Sequence, residues 1–263
     1  MGSPAAIIGI FAQTYNTPAF NFEIPARMES TQIPTSRAVI AAEILSILAL
    51  LHILRLGFDQ IDWRYSGPMT LAAMSPVILI MMRRRGVRWS HIGIRAISWP
   101  KGVLLFLPQA LLAFFLIGLS GVGIALFGEA LNIGVFTADQ PDPQERWGTL
   151  HGNTSLLLTW LAILWFAGPA EELIFRGYLI SRLRDALGPS SLSCIASVLL
   201  PAIIFGLGHV YYQGWRGFFV TGTIGVTVGV LFLLFKKNLW PLMIAHAAFN
   251  SMVFIGTYMG ADF

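Results

Sequence analysis

Seven apolar runs, at residues 38–58, 67–82, 102–127, 154–180, 192–208, 218–235 and 240–259, leave this chain few ways to fold. A helix needs about 20 such residues to cross a hydrocarbon core about 30 Å thick. Backbone polar groups in lipid must find partners inside the chain, and runs of this length do so as helices. Only 11% of the residues are charged and 56% are hydrophobic, against about 25% charged in soluble domains. The mean hydropathy is +0.70. These values exclude a soluble globular domain. The expected fold is all-α, a polytopic transmembrane helix bundle of seven or eight spans. It forms one domain over residues 38–263, after an N-terminal tail at 1–37.

Charge sets the orientation. Arg83, Arg84, Arg85, Arg88, Arg95 and Lys101 follow the second run, and Lys236 and Lys237 follow the sixth. The loop at 128–152 holds Glu129, Asp139, Asp142 and Glu145 against Arg146 alone. The positive-inside rule places the arginine-rich segment and the amino terminus in the cytoplasm. Topology thus accounts for the net charge of +4, and no nucleic-acid partner is expected. A prokaryotic plasma membrane is the expected location, since the chain is short and lacks eukaryotic targeting features. The single Cys194 excludes an internal disulfide and a cysteine-based metal site. Glu43 and His52, inside the first run, read as polar contacts between helices.

One cluster stands out against this apolar frame. Glu171-Glu172-x-x-x-Arg176 puts three ionisable groups deep in the fourth run. Each costs about 3 kcal/mol to insert there. Glu172 and Arg176 lie one turn apart and can neutralise each other. As an isolated pair they read equally well as a structural ion pair. Glu171 points about 100° away and needs another partner. Gly168-Pro169 just before it kinks or restarts the helix. Two later runs carry Phe205-x-x-x-His209 and His246-x-x-x-Asn250, again at one-turn spacing. Counting from the charged ends at about 1.5 Å per residue puts Glu171 and His246 about 16 and 12 Å deep. The same count puts His209 about 28 Å deep, so its helix must begin outside the hydrocarbon, tilt, or kink at Pro201.

The order EExxxR, FxxxH, HxxxN on successive membrane helices resembles the CPBP family, the CAAX-protease and bacteriocin-processing membrane proteins. That family includes the type II CAAX prenyl endopeptidases. The resemblance covers about residues 166–251 and extends to Phe175-Arg176-Gly177, Trp240-Pro241 and, more weakly, Ile92-Gly93-Ile94-Arg95. It implies an intramembrane endopeptidase with a catalytic core at about 154–259 and an active site inside the membrane that opens toward the cytoplasm. Glu171 would be the general base, and His209 would hold the same water and pass on its proton. His246 and Asn250 would stabilise the oxyanion. Glu172, Arg176 and Phe205 would support them, with Arg176 also able to read a substrate carboxylate.

The resemblance implies a metal-free, glutamate-dependent mechanism. Zinc on Glu171, His209 and His246 is the alternative, because two histidines and a glutamate form a known ligand trio. The paired HExxH arrangement is absent. No serine or cysteine sits in a nucleophile motif. The expected partners are the lipid bilayer and a lipidated protein or membrane-bound peptide. Two other functional classes fit the same residues: a non-catalytic scaffold or bacteriocin-immunity protein, and a proton- or cation-coupled transporter. The transporter would show inverted repeats or paired broken helices, and the sequence contains neither.

Overall fold

A computed structural model describes residues 36–96 and 101–261. The expected tail at 1–37 lies outside the described residues, apart from Ser36 and Arg37. Among the described residues there are helices and no strand. Helix α1 (Arg37–Asp62) starts where the Ser36 hydroxyl accepts from the Val39 amide, which satisfies one of the orphan donors of the first turn. Helix α2 (Ser66–Arg84) runs through Pro76, and a 3-10 turn (Trp89–Ile92) follows. Helix α3 (Lys101–Ala130) is long and apolar. Two short helices, α4 (Gly134–Thr137) and α5 (Pro143–Trp147), fold the acidic loop. The Asp142 carboxylate caps α5 by accepting from the Gln144 amide, and Pro143 takes the first turn.

Helix α6 (Thr154–Glu171) continues without a break into a π-helical stretch (Glu172–Ile180) and then α7 (Ser181–Leu187). Helix α8 (Ser191–Leu234) begins under a Ser190 cap, and α9 (Trp240–Tyr258) begins with Pro241 in its first turn. Five helical segments are long and apolar enough to cross a membrane: α1, α2, Leu104–Ala130, Thr154–Leu187 and α8. Many of their large apolar side chains face outward, Leu104, Phe115 and Leu192 among them. Side chains exposed in this way would be a liability in water and fit a lipid surround.

The 44-residue α8 is a hairpin. Gly214, at φ 61° and ψ −167°, breaks the helical path, a conformation that favours glycine. The limbs then run back along each other. A Cβ on Gly206 would stand 2.7 Å from the Phe218 carbonyl oxygen, and one on Gly225 3.1 Å from Ala202. The fifth and sixth apolar runs are these two limbs, and the seventh is α9. Glycines let helix backbones approach closely in lipid. Replacing Gly225 by Leu is therefore expected to cost about 1–3 kcal/mol of stability through overpacking. A lower melting temperature in detergent, with the Gly222→Ala control close to wild type because only the Ala202 carbonyl at 3.8 Å faces that position, would check this.

Two close approaches position the later helices. A Cβ on Gly168 would lie 3.2 Å from the Ala247 amide nitrogen, so α6 and α9 pack backbone to backbone next to Glu171 and His246. A Cβ on Gly177 would lie 2.7 Å from the Ile92 carbonyl oxygen, which seats the 3-10 turn against the π-helical stretch. The core around them is formed by Met74, Ile78, Ile174, Leu179, Phe232 and Leu242, all fully buried.

The arginine-rich end is closed by an ion cluster. The Glu43 carboxylate receives Arg182 Nε at 3.0 Å and Nη2 at 3.2 Å. It also receives Arg85 Nε at 3.2 Å and the Tyr178 hydroxyl at 3.4 Å. Arg182 Nη1 reaches Asp185 at 3.0 Å, and Asp185 also meets His91. Glu43 is thus the interhelical contact expected from the sequence. His52 is not, since it lies exposed on the outer face of α1.

Candidate active site

Proline 169 has no amide hydrogen, so the carbonyl one turn earlier loses its helical partner. The Glu172 amide then approaches both the Gly168 and Pro169 carbonyls, and the next nine residues wind as a π-helix, all of them buried. Single π turns inside α-helices are frequent at functional sites. Here the junction falls between the two adjacent acids.

Those acids have different surroundings. Glu172 is completely buried. Its Oε1 accepts from Arg176 Nη1 at 3.0 Å and from His246 Nδ1 at 2.7 Å. Glu171 keeps 21% of its side chain exposed, and its Oε2 lies 3.6 Å from His246 Nε2. One imidazole from α9 therefore bridges the two glutamates. The sequence grouped Glu172 with Arg176 and His246 with Asn250; the fold joins both groups through the Glu172–His246 contact.

Phe205 connects the remaining members. Its ring packs edge-on to Phe175 at 5.0 Å and to His246 at 6.4 Å, and tilts against His209 at 4.6 Å. The Arg176 guanidinium lies 4.9 Å from the centre of the same ring. His209 Nδ1 is 2.8 Å from the Phe205 carbonyl oxygen, so an Nδ1–H donates along its own helix and Nε2 is left for another group. Among the described residues His209 makes no hydrogen bond or ion pair with Glu171, and it joins the site through Phe205. Asn250 is half-buried, one turn beyond His246 on α9, and among the described residues its side chain makes no hydrogen bond.

The lining continues from His209 to Tyr212, with ring centres 5.4 Å apart, and on to Arg146. This is the end of the bundle opposite Arg83, Arg84 and Arg85. The polar lining thus runs toward the acidic loop. It also places His209 nearer that far end, in keeping with its counted depth.

Arg146 is the residue that sequence reading missed. It seemed the lone cation of an acidic loop. In the fold it is buried, with its guanidinium carbon 3.9 Å from the Tyr212 ring centre, 4.8 Å from Trp147 and 5.9 Å from Trp63. Burial, and the neighbouring Arg55 charge, push it below the usual arginine range, while Asp59 pulls the other way. The sequence signal was the aromatic company of Trp147, Trp63 and Tyr211-Tyr212, which lie far apart along the chain.

His246 Nδ1 is held by Glu172 and His209 Nδ1 by a backbone carbonyl, which leaves the Nε2 atom of each ring for another group. Among the described residues no three His, Cys, Asp or Glu side chains are placed to hold a metal ion together.

No curated protein and no solved structure matches the chain. A family model does match, over a stretch that contains Glu171, Glu172, Arg176, Phe205, His209, His246 and Asn250 and leaves out Arg146. Residues 153–252 of this multi-pass helical chain match the model of the family described as type II CAAX prenyl endopeptidase Rce1-like.

Proposed function

We propose that the chain hydrolyses a peptide bond in a lipidated or membrane-bound protein or peptide, with water activated by Glu171 and without a metal. The observation that supports this most is the His246 ring held between a buried Glu172 and a partly open Glu171. Glu172 and Arg176 fix His246 by its Nδ1, and that leaves Nε2 facing Glu171. Glu171 takes a proton from a water molecule as the water oxygen attacks the scissile carbonyl. With a hydrogen on each ring nitrogen, His246 can donate from both, one to Glu172 and one to the developing oxyanion. The Asn250 amide, free of other bonds and one turn away, adds a second donor. His209 Nε2 accepts a hydrogen bond from the same water, takes up the proton that Glu171 releases, and gives it to the leaving amine. The charge bias of the loops supports an orientation with the amino terminus and residues 83–101 in the cytoplasm.

The test uses purified protein in nanodiscs and an S-prenylated CAAX-type peptide, with products read by mass spectrometry. Wild type is expected to release the C-terminal fragment. Asn250→Ala is expected to slow turnover about 100- to 1000-fold, the usual effect of removing one oxyanion donor. No cleavage by wild type across prenylated and acylated peptides, or an unimpaired Asn250→Ala, would sink the reading. Chelators such as EDTA and phenanthroline are expected to leave the rate unchanged. A stoichiometric zinc whose removal and restoration switch activity off and on would overturn the metal-free mechanism alone.

A further inference from the structure

Arg146 and Arg55 bring two guanidinium groups together at the far end of the site. A Cβ on Gly67 would lie 3.2 Å from Arg55 Nη1 and 3.3 Å from Arg146 Nη2, so both groups converge on one spot beside α2. Asp59 neutralises one of them, through Arg55 Nε at 3.2 Å. The other charge has no acid of its own. Arg146 is only 4% exposed, yet its Nε and Nη1 are buried with no hydrogen-bond partner, and so is Arg55 Nη2. Buried donors on a charged group are costly to leave unmade, about 1–3 kcal/mol or more each. The aromatic walls of Trp63, Trp147 and Tyr212 stabilise the cation through their faces, but they accept no N–H bonds in the guanidinium plane.

We infer that Arg146, with Arg55 beside it, forms a subsite for a carboxylate of the bound peptide, namely its chain-terminal carboxylate beyond the cleaved bond. A guanidinium matches a carboxylate in a two-pronged, planar geometry. The position suits it. Arg146 adjoins Tyr212, and Tyr212 adjoins His209. An extended peptide covers about 3.4 Å per residue, so a terminus two or three residues past the bond held at Glu171 lies about 7–10 Å away. The near-complete burial of Arg146 disfavours a lipid headgroup, which meets cations at the exposed rim. This subsite rests on the peptidase reading but lies outside the segment matched to the family, at 153–252.

The experiment compares one S-prenylated CAAX-type peptide as free acid and as C-terminal amide. Wild type is expected to prefer the acid about 10- to 100-fold in kcat/KM, the worth of a hydrogen bond to a charged group. Arg146→Met keeps the apolar length and is expected to bring that ratio near one, mainly through KM, while Arg146→Lys recovers part of it. Equal cleavage of acid and amide by wild type, or an equal loss on both substrates in Arg146→Met, overturns the subsite. Melting temperatures of each variant separate this from misfolding. Binding of the same two peptides to Glu171→Gln reads the subsite without cleavage. If wild type cleaves neither peptide but Glu171→Gln still binds the acid more tightly, and Arg146→Met removes that preference, the subsite stands and the peptidase reading falls. If anionic lipid stabilises wild type but not Arg146→Met and no acid preference exists, the pair holds a headgroup phosphate and the inference is overturned.

Discussion

Replacing Glu171 by glutamine is expected to lower kcat/KM on a prenylated peptide by about a thousandfold or more, while the protein stays folded. The magnitude follows from removing a general base, which contributes about 100- to 10,000-fold. The folding half of the prediction follows from the local division of labour. Glu172 holds Arg176 and His246, and none of those bonds involves Glu171. Glutamine keeps the shape beside His246 Nε2 and loses only the ability to take a proton. Glu172→Gln should behave differently, because it weakens two charged contacts of a fully buried group and lowers stability along with activity. Mass-spectrometric turnover and thermal unfolding on the same preparations separate the two outcomes. Cleavage that survives Glu171→Gln would move the base elsewhere.

The second large effect concerns stability. Glu43→Ala is expected to cost about 3–5 kcal/mol, the penalty for breaking a buried ion pair and stranding its partner. Arg182 is 5% exposed and loses both bonds to the carboxylate; Arg85 and the Tyr178 hydroxyl lose theirs too. Asp185 still holds Arg182 Nη1, which favours the lower part of that range. Glu43→Gln keeps an acceptor and should fall between alanine and wild type. Unfolding in mixed micelles measures the difference. Turnover per folded molecule should change less than tenfold, because Glu43 touches none of the groups around His246. A melting curve unmoved by Glu43→Ala would mean that the cluster contributes nothing net.

The membrane class and the helices were legible from length and apolar content, since lipid permits few alternatives. The three motifs were legible too, because one-turn spacing is a local property. What joins them was not. The His246 contact with Glu172 spans 74 positions, and it depends on α6 and α9 touching at Gly168. Pro169 announced a break in the helix but not its form, because π winding depends on what packs around it. The gap between the fifth and sixth apolar runs became a single bend at Gly214, where the glycine-lined limbs could close on each other. Arg146 was hidden by its own neighbours in sequence, four acids that suggested solvent.

The π-helical stretch also sets a phase between two distant clusters. One residue more or less in a helix turns everything beyond it by about 100°. Glu172 at the start of the stretch must face His246, and Arg182, just past its end, must face Glu43. The wider winding supplies the offset that lets a single continuous rod satisfy both. A chain shortened by one residue between 173 and 180 could close as ordinary α-helix and keep its length almost unchanged. The lost residue and the tighter winding would largely offset each other, so the stretch works as a vernier between the two clusters.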